Sequence, residues 1–139
     1  MTTNVVQCIG HLRNTTIPIY YSTPSLIITN TGFDVFKTAL DQIRAGGPWI
    51  WVVNCSGLCT EHILKARTIQ RLADLLRAEH TGLLQATWII GMASWMRAVL
   101  TTFGAEANTL SADRLELFVQ LQRAGFPQSA VDFLLAKCA

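Results

Sequence analysis

The densest apolar run in the chain is Trp49-Ile50-Trp51-Val52-Val53, held between Gly46-Gly47-Pro48 and Asn54-Cys55-Ser56-Gly57. It is short, rich in aromatic and β-branched residues, and apolar at every position, which predicts a central strand buried on both faces. Upstream, Phe33, Phe36, Leu40 and Ile43 recur at spacings of 3, 4 and 3. That is one buried stripe of a helix over 33–45, stopped by Gly46-Gly47-Pro48. Downstream, Ile63, Ile69, Leu72, Ala73, Leu75 and Leu76 mark a second helix that runs to about His80, with Lys65, Arg67, Arg71, Asp74 and Arg77 on or near its other face. Thr60 is placed to cap this helix, Glu61 to meet the positive end of its dipole and His80 the negative end.

The flanking segments are less regular. Residues 1–16 read as a polar, aperiodic arm. Residues 17–21 are strand-forming, but Pro18 cannot donate to a ladder, so this strand is expected at a sheet edge. Residues 26–29 are a further strand candidate, and 86–90 (Ala-Thr-Trp-Ile-Ile) another. After Gly91, a helix beginning at Ala93 or Ser94 has Trp95, Ala98, Val99, Thr102 and Phe103 to bury. Residues 105–110 fall where a strand is due, in poor strand material. Ser111 is placed to cap a helix over 112–124 with Leu115, Phe118 and Leu121 in register. Pro127 opens a last helix that buries Val131, Leu134 and Leu135. Strands alternating with helices predict an α/β fold. The expectation is a single domain over 17–139 behind the arm at 1–16, with a mainly parallel sheet of about four to five strands flanked by helices.

Composition adds one question. Half of the 139 residues are hydrophobic and only 14% are charged, against a usual quarter. The surplus must enter a core or an apolar surface that a ligand or partner covers. A net charge of +2 without a basic run argues against nucleic acid as a partner. The first residues lack a basic region followed by an apolar block, so no signal peptide is expected. The greasiest stretch, 83–99, is broken by Gln85 and Arg97 and is too short and mixed to cross a bilayer. Four cysteines suggest no disulfide framework, which points to a reducing, cytoplasmic compartment.

Several constellations of residues are of types that carry chemistry. Cys55 and Cys59 with His62, joined by Cys8 and His11, contain the ligand types of tetrahedral zinc. Their spacings are not those of close-paired zinc motifs, and buried cysteines also pack as small hydrophobes. Cys55 or Ser56 sits at a strand-to-helix turn suited to a nucleophile, but the Gly-x-Ser-x-Gly elbow is absent. Cys55-Ser56-Gly57 before a helix could hold an anion, though the same turn is needed merely to reverse the chain. No metal, cofactor or catalytic residue is therefore assigned, and an enzyme is not expected. The four tryptophans are Trp49, Trp51, Trp88 and Trp95. Alternation puts Trp49 and Trp51 on one sheet face, and Trp88 is a candidate to join them. They form either a core of large aromatics or the indole walls of an apolar pocket. Trp49, Trp51, Val53, Trp88, Ile90 and Trp95 are the candidate ligand-binding residues, with Arg97 either a snorkelling surface cation or a polar anchor at the mouth.

The stretch 49–58 resembles the strand of CRAL-TRIO (Sec14-like) lipid-binding domains, an apolar strand that ends in Asp-x-x-Gly. The cationic helix after it is similar too. So is 84–100, where the family has an apolar strand, then Asn-x-Pro-x-Trp/Phe, then a helix. Leu115-Glu116-Leu117 and Gly125-Phe126-Pro127-Gln128 fit the family's closing helix and its Leu/Ile-Pro-x-Glu step. Asn54, Ala93 and Ser129 depart from its Asp, Pro and Glu. The helical N-terminal module of lipid-transfer members is absent from this sequence, and 101–111 is shorter than the gate of long members. This compactness resembles the divergent branch, some of whose members bind proteins such as small GTPases. The turn at Ser56-Gly57 also resembles STAS domains, which place a phosphorylatable serine there, but the Trp-Met-Arg of 88–100 has no counterpart in them.

The resemblance implies a minimal domain that binds a lipid or other small apolar ligand without catalysis, with contact to a membrane surface. The alternative is a protein-interaction or assembly module, with a protein partner or homo-oligomer, on the same fold with a reduced or collapsed pocket.

Overall fold

The computed structural model describes residues 5–23, 30–55, 66–80, 82–91, 108–111 and 113–137. Five strands form one mixed sheet in the order β1-β2-β3-β4-β5: β1 Val6–His11, β2 Pro18–Ser22, β3 Trp49–Asn54, β4 Leu84–Ile90 and β5 Asn108–Leu110. β1 is antiparallel to β2, and every other pairing is parallel. Four helices are described: α1 Asn30–Ala45, α2 Ala66–His80, α3 Arg114–Arg123 and α4 Gln128–Lys137.

The layers follow from the handedness of the crossovers. Each parallel strand is the next in sequence, so right-handed crossovers stepping one way place their helices on one face. α1 and α2 do this. Phe33, Phe36, Ala39, Leu40 and Ile43 of α1, with Leu75 and Leu76 of α2, pack on Trp49, Trp51, Val53 and Ile89. α3 and α4 cover the opposite face, where Leu117, Leu121, Ala130, Val131 and Leu134 meet Ile19, Tyr21, Ile50, Val52 and Ile90. β3 is buried at all six positions because both layers press on it.

The start of the chain differs from expectation. Residues 6–11, expected within an arm, form the edge strand β1 and bury Val6 and Ile9. β2 is therefore an inner strand. Pro18 is accommodated because it lies at the first position of β2, opposite His11 at the end of β1. A bulge between Cys8 and Gly10 lets Gly10 adopt φ +147°, and a Cβ there would stand 3.0 Å from Cγ of Pro127. The first turn of α4 lies against β1 as well, with Ser129 Oγ and Ala130 Cβ 3.6 and 3.8 Å from the same Cβ position.

α3 also departs from the predicted register. Its cap is Asp113, not Ser111: Asp113 Oδ1 accepts from the backbone N–H of Leu115 and Glu116, each at 3.0 Å. Leu117 and Leu121 are buried, whereas Leu115 and Phe118 face solvent. In α4, Val131 and Leu134 are buried and Leu135 is half-buried, as expected. The strand candidate at 26–29, the helix start at 60–65 and the helix after Gly91 lie outside the described residues.

Candidate ligand-binding layer and the carboxyl end of the sheet

Strand alternation and register decide where the candidate binding residues lie. Trp49, Trp51 and Val53 share the α1/α2 face. Val52 pairs with Trp88 and Asn54 with Ile90, so Trp88 and Ile90 lie on the other face, under α3 and α4. Trp88 does not join the other indoles: it makes an edge contact with Phe126, centroids 6.2 Å apart. The sequence could not show this, because the relative register of β3 and β4 is not written in either strand. Trp95 and Arg97 lie outside the described residues.

The space around Trp49 and Trp51 is filled by the protein's own rings. Their centroids are 6.2 Å apart, Tyr20 stands edge-on to Trp49 at 6.0 Å, and Phe36 lies 5.6 Å from Trp51. Both indole N–H groups are used internally. Trp49 Nε1 donates to His80 Nδ1 at 3.0 Å, and Trp51 Nε1 donates to Ser22 Oγ at 2.8 Å. Both partners are buried, so each bond satisfies two groups that water cannot reach.

His80 is not the cationic partner of a helix dipole that its position suggests. It is 1% exposed, and Nδ1 accepts a hydrogen bond, so the proton of the neutral ring sits on Nε2. Burial lowers its pKa and nearby Arg44 adds to that, while Glu79 and Asp41 act the other way. Nε2 is itself buried and has no hydrogen-bond partner among the described residues. Arg44 reaches Glu79 at 3.6 Å beside it.

At the carboxyl end of the parallel strands, where open α/β sheets hold ligands, the described polar groups are also engaged. Asn54 Nδ2 donates to the Tyr21 hydroxyl at 3.0 Å, and Cys55 N donates to the Ile90 carbonyl at 2.8 Å. Order does not reverse anywhere from β2 to β5. These strands therefore lack the switch point that opens a crevice in doubly wound sheets.

The alternative chemistries fare differently. The Cys55 thiol is buried, and desolvation pushes its pKa up to about 12, so it is a thiol rather than a nucleophilic thiolate at neutral pH. Ser56, Cys59 and His62 lie outside the described residues. Cys8 is level with Tyr20 and Trp51, four residues short of Cys55, or about 13 Å along the strands. His11 pairs with Pro18 at the far end of the sheet, about 20 Å from Cys55 by the same count. The Cys8, His11, Cys55 set therefore does not converge, and no group of three metal-ligating side chains occurs among the described residues. No described helix is long and apolar enough to cross a membrane.

Sequence reasoning missed two features: the pairing of Trp49 with His80, and an apolar outer face on α3 made of Leu115, Phe118 and Val119. The second was legible, since three apolar residues follow one another at 117–119 and no single stripe can bury them all. No family model matches the chain, and no curated protein or solved structure matches it either.

Proposed function

We propose that this chain is a non-catalytic binding domain of the cytoplasm, a compact Sec14-like module whose pocket is reduced to core and whose partner is a protein, in a complex or an assembly. The observation that carries this is the aromatic layer. Trp49 and Trp51 are packed by Phe36 and Tyr20 and hydrogen-bonded to His80 and Ser22. A ligand taking their place would have to break two buried hydrogen bonds, each costing about 1–3 kcal/mol when a partner is left unpaired. The apolar surplus of the composition then belongs partly to surface that a partner covers, and α3 exposes such a surface.

A second reading, binding of a lipid or other apolar ligand, draws on Trp88. Its indole is only half-buried, toward the carboxyl end of β4 and beside Phe126, and that is a surface an acyl chain would fit. Native mass spectrometry of the purified protein, followed by organic extraction, separates the two. An oligomer or partner complex free of extractable lipid is expected. A monomer carrying stoichiometric lipid overturns the first reading in favour of the second.

A further inference from the structure

The solvent face of α3 is apolar and belongs to no core cluster. Leu115 is 78% exposed, Val119 43% and Phe118 38%. At 3.6 residues per turn these three and Gln122 fall within an arc of about 100°, opposite the buried pair Leu117 and Leu121. The helix is firmly placed. Asp113 caps its start, and Arg114 Nη1 donates to the Leu135 carbonyl of α4 at 2.7 Å. The stripe is thus presented on a fixed element.

The charges beside the stripe indicate what it fits. Glu116 and Arg123 lie seven residues apart on one flank, both exposed. The Arg123 guanidinium makes no hydrogen bond or ion pair among the described residues. Glu116 Oε2 accepts from Ser111 Oγ at 2.7 Å, which leaves the other carboxylate oxygen free to accept. An acid and a base two turns apart on the same flank make a helix its own complement. Set antiparallel about a two-fold axis near Val119, each Glu116 meets the Arg123 of the second copy, and the apolar stripes meet between them. A parallel arrangement would bring this flank against the opposite one, where Arg114 is already held by the Leu135 carbonyl and no acid of α3 meets Arg123.

We propose that the Leu115–Phe118–Val119 face of α3 docks on the same face of a second copy of this chain, antiparallel, with Glu116 and Arg123 paired across the two-fold axis. This rests on the assembly reading above and names its surface. A ten-residue helix is about 15 Å long, so the interface belongs to the small class, below about 1,200 Å². The dimer is therefore a weak one, in the micromolar range or above.

Sedimentation velocity of the full chain over rising concentration tests this. The unaltered protein is expected to pass from monomer to dimer. Leu115→Glu should weaken association at least about tenfold, with an unchanged circular dichroism spectrum and Tm because the side chain is exposed. Glu116→Arg alone and Arg123→Glu alone should each weaken it several-fold. An equimolar mixture of those two variants should regain the dimer, since one then carries two bases and the other two acids on the contacting flanks, and high salt should erase the gain. Failure of the mixture to recover overturns the proposal, as does a protein that stays monomeric at every concentration. An oligomer indifferent to all three variants overturns the α3 face alone and leaves the assembly reading standing, whereas a lipid-laden monomer removes both.

Discussion

Trp49 and His80 hold each other in a buried hydrogen bond, indole Nε1 to imidazole Nδ1 at 3.0 Å, with the rings edge-on and centroids 5.4 Å apart. The bond joins the first residue of the central strand to the last residue of α2. A protonated imidazole would carry a hydrogen on both ring nitrogens, and Nδ1 would then face another donor. Geometry and burial therefore agree in keeping the ring neutral.

This makes stability depend on pH with a definite sign. The unfolded chain protonates His80 near pH 6.5, while the folded ring resists, its pKa lowered first by burial. Below about pH 6.5 the unfolded state holds more protons, so stability falls as pH falls, by at most about 1.4 kcal/mol per pH unit until the folded ring itself titrates. Above it this contribution is fully present. Urea unfolding from pH 8 to pH 5 should show the slope, and His80→Gln, which keeps an acceptor but cannot titrate, should remove it. Asp41, Arg44 and Glu79 surround the ring in both proteins, so the difference between them isolates His80. Equal slopes would mean that the imidazole is not the titrating group.

Trp49→Phe should cost about 2–4 kcal/mol of unfolding free energy, from the lost donor to His80 and the space left behind. Adding His80→Leu should recover part of the loss, because no buried acceptor is then left unpaired. Strict additivity of the two substitutions in denaturant unfolding would deny the coupling.

Across the other sheet face, Tyr21 and Asn54 are joined at 3.0 Å. A double-mutant cycle with Tyr21→Phe and Asn54→Ala should return an interaction of about 0.5–1.5 kcal/mol. A value indistinguishable from zero would show that the hydroxyl and the amide do not support each other in solution.

Cys55 should resist alkylation in the native protein. With a thiol pKa of about 12, only about one molecule in ten thousand is thiolate at pH 8, and it is the thiolate that reacts. Peptide-resolved iodoacetamide labelling should find the half-buried Cys8 modified first and Cys55 modified only on unfolding. Fast native labelling of Cys55 would reopen a role for it as a nucleophile.

Gly10→Ala should destabilise by about 1–3 kcal/mol. The backbone there holds φ +147°, and the new methyl would press on Pro127 at 3.0 Å. Thermal unfolding is the check, and an unchanged Tm would mean that α4 yields without cost.

The α/β alternation and the central strand were legible because their signals are local and dense. The run from Trp49 to Val53 is apolar at every position, and the 3-4-3 spacing of α1 has one solution. β1 was missed because Gln7 and Gly10 interrupt its apolar residues, and a six-residue edge strand needs only one protected face. α3 was mis-registered because Leu115, Leu117, Phe118, Val119 and Leu121 carry two overlapping stripes, and only packing on β3 and α4 selects between them. The candidate binding layer divided in two for a similar reason. Whether Trp88 faces Trp51 depends on one residue of register between strands thirty positions apart, and a shift of one reverses the face.

The strand order has a consequence for how the molecule is made. Each parallel strand lies beside its predecessor in sequence, and α1 and α2 seal their face as the sheet grows. Among the described helices, α3 and α4 are the ones that cover Ile19, Tyr21, Ile50, Val52 and Ile90, and both follow β5, after the strands they cover. A half-synthesised chain therefore presents a one-sided sheet with a greasy open face, the type of surface that chaperones shield and that aggregates when they do not.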